Sequence, residues 1–301
     1  MYPAAFQYFR AQSIEGAIHR LSELGEDARP LAGGQSLVPL MKLRFSRPSA
    51  LVDLGFLPGL SYVRTENGTL RLGALTCHAD VEESDAASRI PILHDCAAGI
   101  ADVQVRNRGT IGGSIAEADP SGDWMPALLA LDTEVRCVGP KGDRTVPLPE
   151  FVCDAFTTVL ELGELVREAI VRFPAKGSGG AYIAFKRSAP VYATVSAAVQ
   201  LRLGKNDVCE DCRIVLGCVG LTAIRARDAE MQLTGRPLTA HSIDHAVEAA
   251  MAAAEPEPDL RGSADYKRVL LGALVRRAID AAARRARGEQ VEVHHEYIGR
   301  S

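Results

Sequence analysis

Residues 110–124 read T-I-G-G-S-I-A-E-A-D-P-S-G-D-W, and this stretch decides how the chain folds. Residues 31–36, L-A-G-G-Q-S, repeat its opening pattern of two glycines followed by small polar side chains. Such a turn lets backbone N–H groups point inward and approach a ligand closely, as in an anion-binding nest for phosphate. Neither stretch has the spacing of a P-loop or of the dinucleotide-binding glycine fingerprint. Two such turns in one domain predict a ligand with two neighbouring phosphates.

Three carboxylates follow the second pair of glycines: Glu117, Asp119 and Asp123. A carboxylate at this distance suits a ribose diol, which requires a hydrogen-bond acceptor. A metal site is the competing interpretation of the same acidic residues. No histidine accompanies them, and Pro120 turns the chain between the two aspartates, so we place the metal site second.

The composition is that of an ordinary globular chain. The 301 residues are 47% apolar and 24% charged. A chain of this length is longer than a single hydrophobic core usually accommodates, which predicts two domains. A formal net charge of -4 provides no basic surface for nucleic acid. The N-terminus lacks the pattern of a secretory signal, and no apolar run reaches the roughly 18–20 residues of a membrane helix. We therefore expect a cytoplasmic protein with no integral membrane segment.

The hydrophobic pattern predicts an α+β protein. An amphipathic helix begins after Ser13 and ends at Gly25, and short strands bounded by turn residues follow it. The pattern changes near Pro174, after which three segments alternate like antiparallel strands: residues 181–187, 193–203 and 213–220.

Two helices complete the predicted fold. Ser242 is expected to cap the first, and Ser263 the second, which ends near Arg287. The chain therefore divides into three predicted segments: an α+β domain over residues 1–174, a smaller domain of antiparallel sheet and helices over 175–290, and a tail over 291–301.

The seven cysteines are scattered and odd in number, which indicates reduced thiols. Cys209 and Cys212 form the only C-x-x-C sequence. A redox pair or a zinc site would use this spacing, but zinc needs a second ligand pair and only Cys218 is near. The alternating pattern around Cys209 and Cys212 favours a β-strand in which the two cysteines are small side chains with a structural role.

The histidines give no chemical signal. His241 and His245 are four residues apart but lack the glutamate of the H-E-x-x-H zinc motif. His78 has no evident partner in the sequence. No Ser/His/Asp or Cys/His arrangement appears, which argues against a hydrolase.

The two glycine turns, in this order and at this separation, resemble the flavin-binding subunit of the molybdenum hydroxylases. That family includes the medium chain of aerobic carbon monoxide dehydrogenase and the flavin domain of xanthine dehydrogenase. The resemblance covers nearly the whole chain and implies an FAD-binding domain of the vanillyl-alcohol-oxidase (PCMH) type over residues 1–174. A domain of the carbon monoxide dehydrogenase flavoprotein type would follow over residues 175–290. The other matching segments are F-Q-Y-F-R-A-Q-S-I-E-G-A, G-A-L-T-C-H-A-D, D-V-Q-V-R-N-R-G-T-I-G-G-S, F-K-R-S-A-P-V-Y-A-T-V, L-G-C-V-G-L-T-A-I-R-A and D-L-R-G-S-A-D-Y-K-R-V-L.

The resemblance also implies which residues contact FAD. Asp123 would accept hydrogen bonds from the adenosine ribose. Lys186 would reach the flavin and Tyr192 would lie near the isoalloxazine ring, although a strand-end lysine and a half-buried tyrosine are also common structural residues. Ile100 and Ala101 would lie along the cofactor. The first turn would bind one side of the diphosphate through Leu31, Ala32, Gly33, Gly34, Gln35 and Ser36, and the second turn the other side through Thr110, Gly113 and Ser114. Asp119 and Val166 complete the expected cofactor-binding set.

By the same resemblance, the chain is an oxidoreductase subunit that transfers electrons within a molybdenum hydroxylase. A small iron–sulfur subunit with [2Fe–2S] clusters and a large molybdopterin subunit would complete the enzyme as a dimer of heterotrimers. Electrons would pass through this FAD to an external acceptor, with no catalytic acid or base on this chain. Gln35 stands where many relatives have histidine, and glutamine has no nucleophilic nitrogen, so FAD is expected to bind non-covalently.

Two other functions stay open at this point. A self-contained FAD-dependent oxidoreductase of the same fold would need a base near the flavin, and the sequence offers no convincing one. A flavin-free subunit that only assembles its partners is the third hypothesis, and the two glycine turns and Asp123 argue against it.

Overall fold

The first sheet is formed at the start of the chain. The computed structural model describes residues 2–188 and 190–297. Its first five elements are β1 (Gln7–Arg10), α1 (Ile14–Leu24), β2 (Ala28–Leu31), α2 (Leu37–Lys42) and β3 (Ala50–Asp53). The three strands are parallel, in the order β1-β3-β2, and α1 buries Ala17, Ile18 and Leu21 in the core beneath them. The first glycine turn therefore joins a buried strand to a short helix.

The second sheet has five antiparallel strands in the order β4-β5-β10-β6-β7. Six helices separate its second strand from the next strand along the chain, and the second glycine turn begins one of them, α7. The elements are β4 (Val63–Glu66), β5 (Thr69–Gly73), α3 (His78–Glu82), α4 (Asp85–Ser88), α5 (Pro91–Gly99), α6 (Val103–Arg106), α7 (Ile111–Glu117), α8 (Trp124–Ala130), β6 (Glu134–Gly139), β7 (Gly142–Pro147), α9 (Leu148–Phe151), β8 (Val152–Asp154), β9 (Thr157–Thr158) and β10 (Leu165–Arg172).

The third sheet contains the strands predicted after Pro174. Its order is β14-β13-β12-β11-β15, with β15 parallel to β11 and the other pairs antiparallel. Its elements are β11 (Ser178–Lys186), β12 (Ala193–Leu203), β13 (Cys209–Gly217), β14 (Ile224–Arg225), α10 (Arg227–Leu233), α11 (Ala240–Ala253), α12 (Ala264–Ala286) and β15 (Glu296–Tyr297). The predicted α+β class is confirmed.

This third sheet is buried on both faces. Tyr182 and Ala198 point into the core formed by the first 171 residues, whereas Ile183 and Val199 point into the core shared with α10, α11 and α12. One core therefore crosses the expected boundary at residue 174. The division into 1–174, 175–290 and a tail stays a prediction, and residues 298–301 of that tail lie outside the described residues.

Capping residues explain where the long helices begin. Ser13 and Ser263 each accept a hydrogen bond from the backbone N–H three residues on, at 3.0 and 3.2 Å, and start α1 and α12 as predicted. The prediction that Ser242 caps α11 is wrong. Thr239 is the cap, and Ser242 is the third helical residue, whose hydroxyl accepts the Thr239 backbone N–H at 3.0 Å. The segment T-A-H-S carries a hydroxyl at both ends of this reciprocal capping box, so local composition does not choose between them.

Cys209 and Cys212 both lie on β13, as the alternating pattern predicted. The register shifts at Glu210, which is the extra residue of a bulge, and both thiols are buried in the core under α10 and α11. Among residues 2–188 and 190–297, no helix is long and apolar enough to cross a membrane.

Candidate functional site

The first glycine turn is held against the start of the second. A Cβ on Gly33 would overlap the Arg108 carbonyl oxygen, so the close approach requires glycine at this position. Gly34 has φ of 74°, a left-handed conformation that also favours glycine. The two turns therefore meet at Arg108–Gly109.

The first turn presents unpaired backbone donors. Gly33, Gly34, Gln35 and Ser36 follow β2, and within the described part of the chain none of their backbone N–H groups has an acceptor. The Gln35 side chain folds back, with Nε2 donating to the Gly33 carbonyl at 3.4 Å. Four adjacent free N–H groups form the donor array that a phosphate group needs.

The second turn uses most of its backbone donors inside the fold. Thr110 caps α7, its Oγ1 accepting the Gly113 N–H at 3.1 Å. The N–H groups of Ile111 and Gly112 donate to the segment that follows β5, at 3.0 Å each. A Cβ on Gly113 would lie 3.9 Å from the Ala32 Cβ, so the second turn faces the first across a narrow gap.

A cleft of about 720 Å³ lies between the two turns. Its size falls within the usual range of small-molecule sites. Ten of the sixteen residues expected to contact the cofactor line it: Leu31, Ala32, Gly33, Gly34, Gln35, Ser36, Thr110, Gly113, Ser114 and Val166.

Asp123 and Lys186 contact each other, and neither lines the cleft. Lys186 is fully buried, and its Nζ donates to the Gly99 carbonyl at 2.7 Å and to Asp123 Oδ2 at 3.2 Å. The Tyr182 hydroxyl donates to Asp123 Oδ1 at 2.6 Å, and burial raises the Tyr182 pKa, which keeps it a donor. Ile100 directly follows the Gly99 carbonyl. The ribose role of Asp123 and the flavin role of Lys186 stay predictions.

Tyr192, in the C-terminal half, lies near the first turn and near the A-D-P-S-G-D loop (residues 118–123). Partial burial raises the pKa of its hydroxyl, Asp119 raises it further, and Ser36 opposes them. The Arg261 guanidinium lies 5.9 Å from the Tyr192 ring centroid and donates to Ser121 Oγ at 3.4 Å. Tyr192 thus spans the first turn and the A-D-P-S-G-D loop. Ala101, on the segment between Gly99 and the second turn, has φ of 43°.

The sequence did not single out three residues that line the cleft or contact the expected site residues: His78, Tyr182 and Arg261. His78 lines the cleft, and its Nδ1 accepts the Trp124 Nε1–H at 3.0 Å, so the histidine that lacked an evident partner has one. Burial lowers the His78 pKa to about 4. No local signal predicted this pair, because its members are 46 residues apart.

The metal alternative gains no support from the geometry. In residues 2–188 and 190–297, no group of three or more His, Cys, Asp or Glu side chains could hold a metal ion. The Asp123 carboxylate instead accepts hydrogen bonds from Lys186 and Tyr182. Glu117 lines the cleft, where burial raises the pKa of its carboxyl group.

Comparisons with known proteins give one consistent result. Residues 4–176 match the family model described as the FAD binding domain in molybdopterin dehydrogenase, and residues 180–282 match the CO dehydrogenase flavoprotein C-terminal domain. The alpha subunit of the 6-hydroxypseudooxynicotine dehydrogenase complex of Paenarthrobacter nicotinovorans is 40% identical over 98% of this chain and 100% of its own length. The carbon monoxide dehydrogenase medium chain of Hydrogenophaga pseudoflava is 41% identical over 94% of this chain and 98% of its own. A solved structure of carbon monoxide dehydrogenase from that organism, lacking the Mo-pyranopterin moiety, superposes with a TM-score of 0.91, covering 94% of this chain and 98% of that one.

Proposed function

Because this chain belongs to the family of FAD-binding medium subunits of molybdenum hydroxylases, we propose that it passes electrons from the [2Fe–2S] clusters of a partner subunit to an external acceptor. The observation that carries this proposal is the cleft between the two glycine turns, with four free backbone N–H groups on one wall. Its volume and its donors fit a dinucleotide with a central diphosphate.

The first turn is the main diphosphate-binding element in this proposal. Its adjacent N–H groups, from Gly33 to Ser36, concentrate the positive ends of peptide dipoles on this wall of the cleft. On the opposite wall, Thr110 and Ser114 contribute their side chains to the lining of the cleft, and Thr110 caps α7. FAD, when bound, supplies the electron-transfer chemistry, and the protein supplies binding and orientation.

The Asp123–Lys186–Tyr182 network fixes the segment that leads to the second turn. Lys186 on β11 holds the Gly99 carbonyl, so the third sheet is tied to Gly99–Ala101. We propose that Ile100 and Ala101 lie along the cofactor beside this support. Tyr192 would cover the cleft beside Ser36 of the first turn.

The proposed partners are a small iron–sulfur subunit and a large molybdopterin subunit, assembled as a dimer of heterotrimers. The relatives support a multi-subunit assembly because they are described as a complex subunit or a medium chain, and this chain spans 98% or more of their length. We place the assembly in the cytoplasm, where the seven free thiols of this chain would stay reduced.

FAD is expected to leave the protein when the fold is destroyed. Gln35 lies in the turn, where its side chain donates to the Gly33 carbonyl, and an amide cannot form the bond to the flavin that a histidine nitrogen can. Acid precipitation of the yellow protein should therefore leave the flavin in the supernatant. Colour retained in the washed pellet would contradict non-covalent binding, and a colourless protein that takes up no FAD would contradict the proposed function itself.

A further inference from the structure

His78 lies where the two glycine turns meet. The segment after β5 pairs with the start of the second turn, through Ile111 N–H to the Thr76 carbonyl at 3.0 Å and His78 N–H to the Gly109 carbonyl at 3.1 Å. This pairing packs the imidazole on Gly109, where an added Cβ would lie 2.6 Å from His78 Nε2. The first turn reaches the same point, because Gly33 packs on the neighbouring Arg108 carbonyl.

The Trp124 indole determines which nitrogen of His78 carries the proton. An indole N–H can only donate, and it donates to His78 Nδ1 at 3.0 Å, so Nδ1 is the acceptor. A neutral imidazole has a single N–H, which must then be on Nε2. Burial lowers the His78 pKa to about 4, so this neutral form persists at neutral pH.

The Nε2–H group has no acceptor within the described residues, although only 4% of His78 is exposed and its ring lines the cleft. Among the described residues, Nε2 is not one of the buried side-chain atoms left without a partner, so this N–H is open to the cleft and free to donate to a ligand oxygen. The nearest ligand-binding surface is the junction of the two turns, beside the free N–H groups of Gly33 and Gly34.

We propose that His78 is a binding residue for the diphosphate of FAD, donating its Nε2–H to a phosphate oxygen between the two turns. This inference rests on the proposed function. His78 adds a fifth neutral donor to the four of the first turn, and Trp124 is the positioning residue that keeps the imidazole in the required tautomer.

Titration of the apo-protein with FAD, followed by quenching of flavin fluorescence, tests the proposal. His78→Phe keeps an aromatic ring but removes the donor, and we expect FAD affinity to fall on the order of tenfold to hundredfold. His19→Phe is the matched control: His19 is exposed on α1, away from the cleft, and its variant should bind like the wild type. Equal affinity for His78→Phe and wild type would overturn the proposal. Failure of the wild type itself to bind FAD would instead contradict the proposed function.

A second measurement applies even where His78→Phe does not fold, since it uses the wild-type chain. Imidazole nitrogen NMR of histidine-labelled protein should show a protonated Nε2 and an unprotonated Nδ1 for His78. Addition of FAD should shift the Nε2–H resonance, and Trp124→Phe should populate the other tautomer and weaken FAD binding. A protonated Nδ1 in the wild type, or an Nε2–H signal that FAD binding leaves unchanged, would overturn the proposal.

Discussion

Gly113→Val is expected to lower FAD affinity by about a hundredfold, so that the variant is purified without flavin. The Gly113 Cα faces Ala32 across the gap between the turns, and a Cβ there would already lie 2.8 Å from Thr110 Oγ1. Valine adds two further carbons to this narrow space, and overpacking of this kind costs about 1–3 kcal/mol. The effect is steric, because Gly113 lies inside α7 and does not need a left-handed conformation.

Gly16→Val provides a matched control for this variant. Gly16 is the third residue of α1, capped by Ser13, just as Gly113 is the third residue of α7, capped by Thr110. A Cβ on Gly16 would lie 3.2 Å from Ser13 Oγ, but it would point to solvent and not into the cleft. The ratio of flavin to protein absorbance should be normal for Gly16→Val and near zero for Gly113→Val. Normal flavin content in both would show that the cleft between the turns is not the FAD site.

Asp123→Ala is expected to destabilise the apo-protein by about 3–5 kcal/mol, because it leaves the buried Lys186 ammonium without its counter-ion. The variant also removes the acceptor of the Tyr182 hydroxyl. Denaturant unfolding of the flavin-free protein measures this loss separately from any loss of FAD contacts. Asp244→Ala, which removes an exposed partner of Arg276, is the control and should change stability little.

A double variant distinguishes the electrostatic cause from simple loss of packing. Lys186→Met in the Asp123→Ala background removes the unpaired charge and keeps a long side chain, so it should recover much of the lost stability. If Asp123→Ala unfolds like the wild type yet binds FAD weakly, the carboxylate acts on the ribose and the buried ion pair has no structural importance.

Local patterns predicted the elements and the two turns well. Alternation placed a strand over residues 193–203, and β12 has those bounds. Ser13 and Ser263 were found as caps because a cap acts on residues three positions away. The turns at Gly33 and Gly113 were recognisable because their chemistry lies in consecutive residues.

Contacts between distant residues could not be predicted in the same way. Lys186 and Asp123 are 63 residues apart, and His78 and Trp124 are 46 apart, so each pair depends on how distant segments of the chain pack. In the second turn, the Ile111 N–H is used within the fold, where it donates to the Thr76 carbonyl, and fewer donors are left for a ligand. The similar sequences of the two turns did not indicate this difference. The fold therefore makes the first turn the richer source of free donors.

We propose that electrons reach FAD on this chain only through partner subunits. The most direct test adds the substrate of the assembled enzyme, without oxygen, first to the FAD-loaded chain alone and then to the chain with its iron–sulfur and molybdopterin partners. Flavin absorbance should stay constant in the first sample and bleach in the second, while a chemical reductant bleaches both. Rapid bleaching of this chain alone by substrate would contradict transfer through partner subunits and identify a self-contained oxidoreductase with its substrate site beside Tyr192.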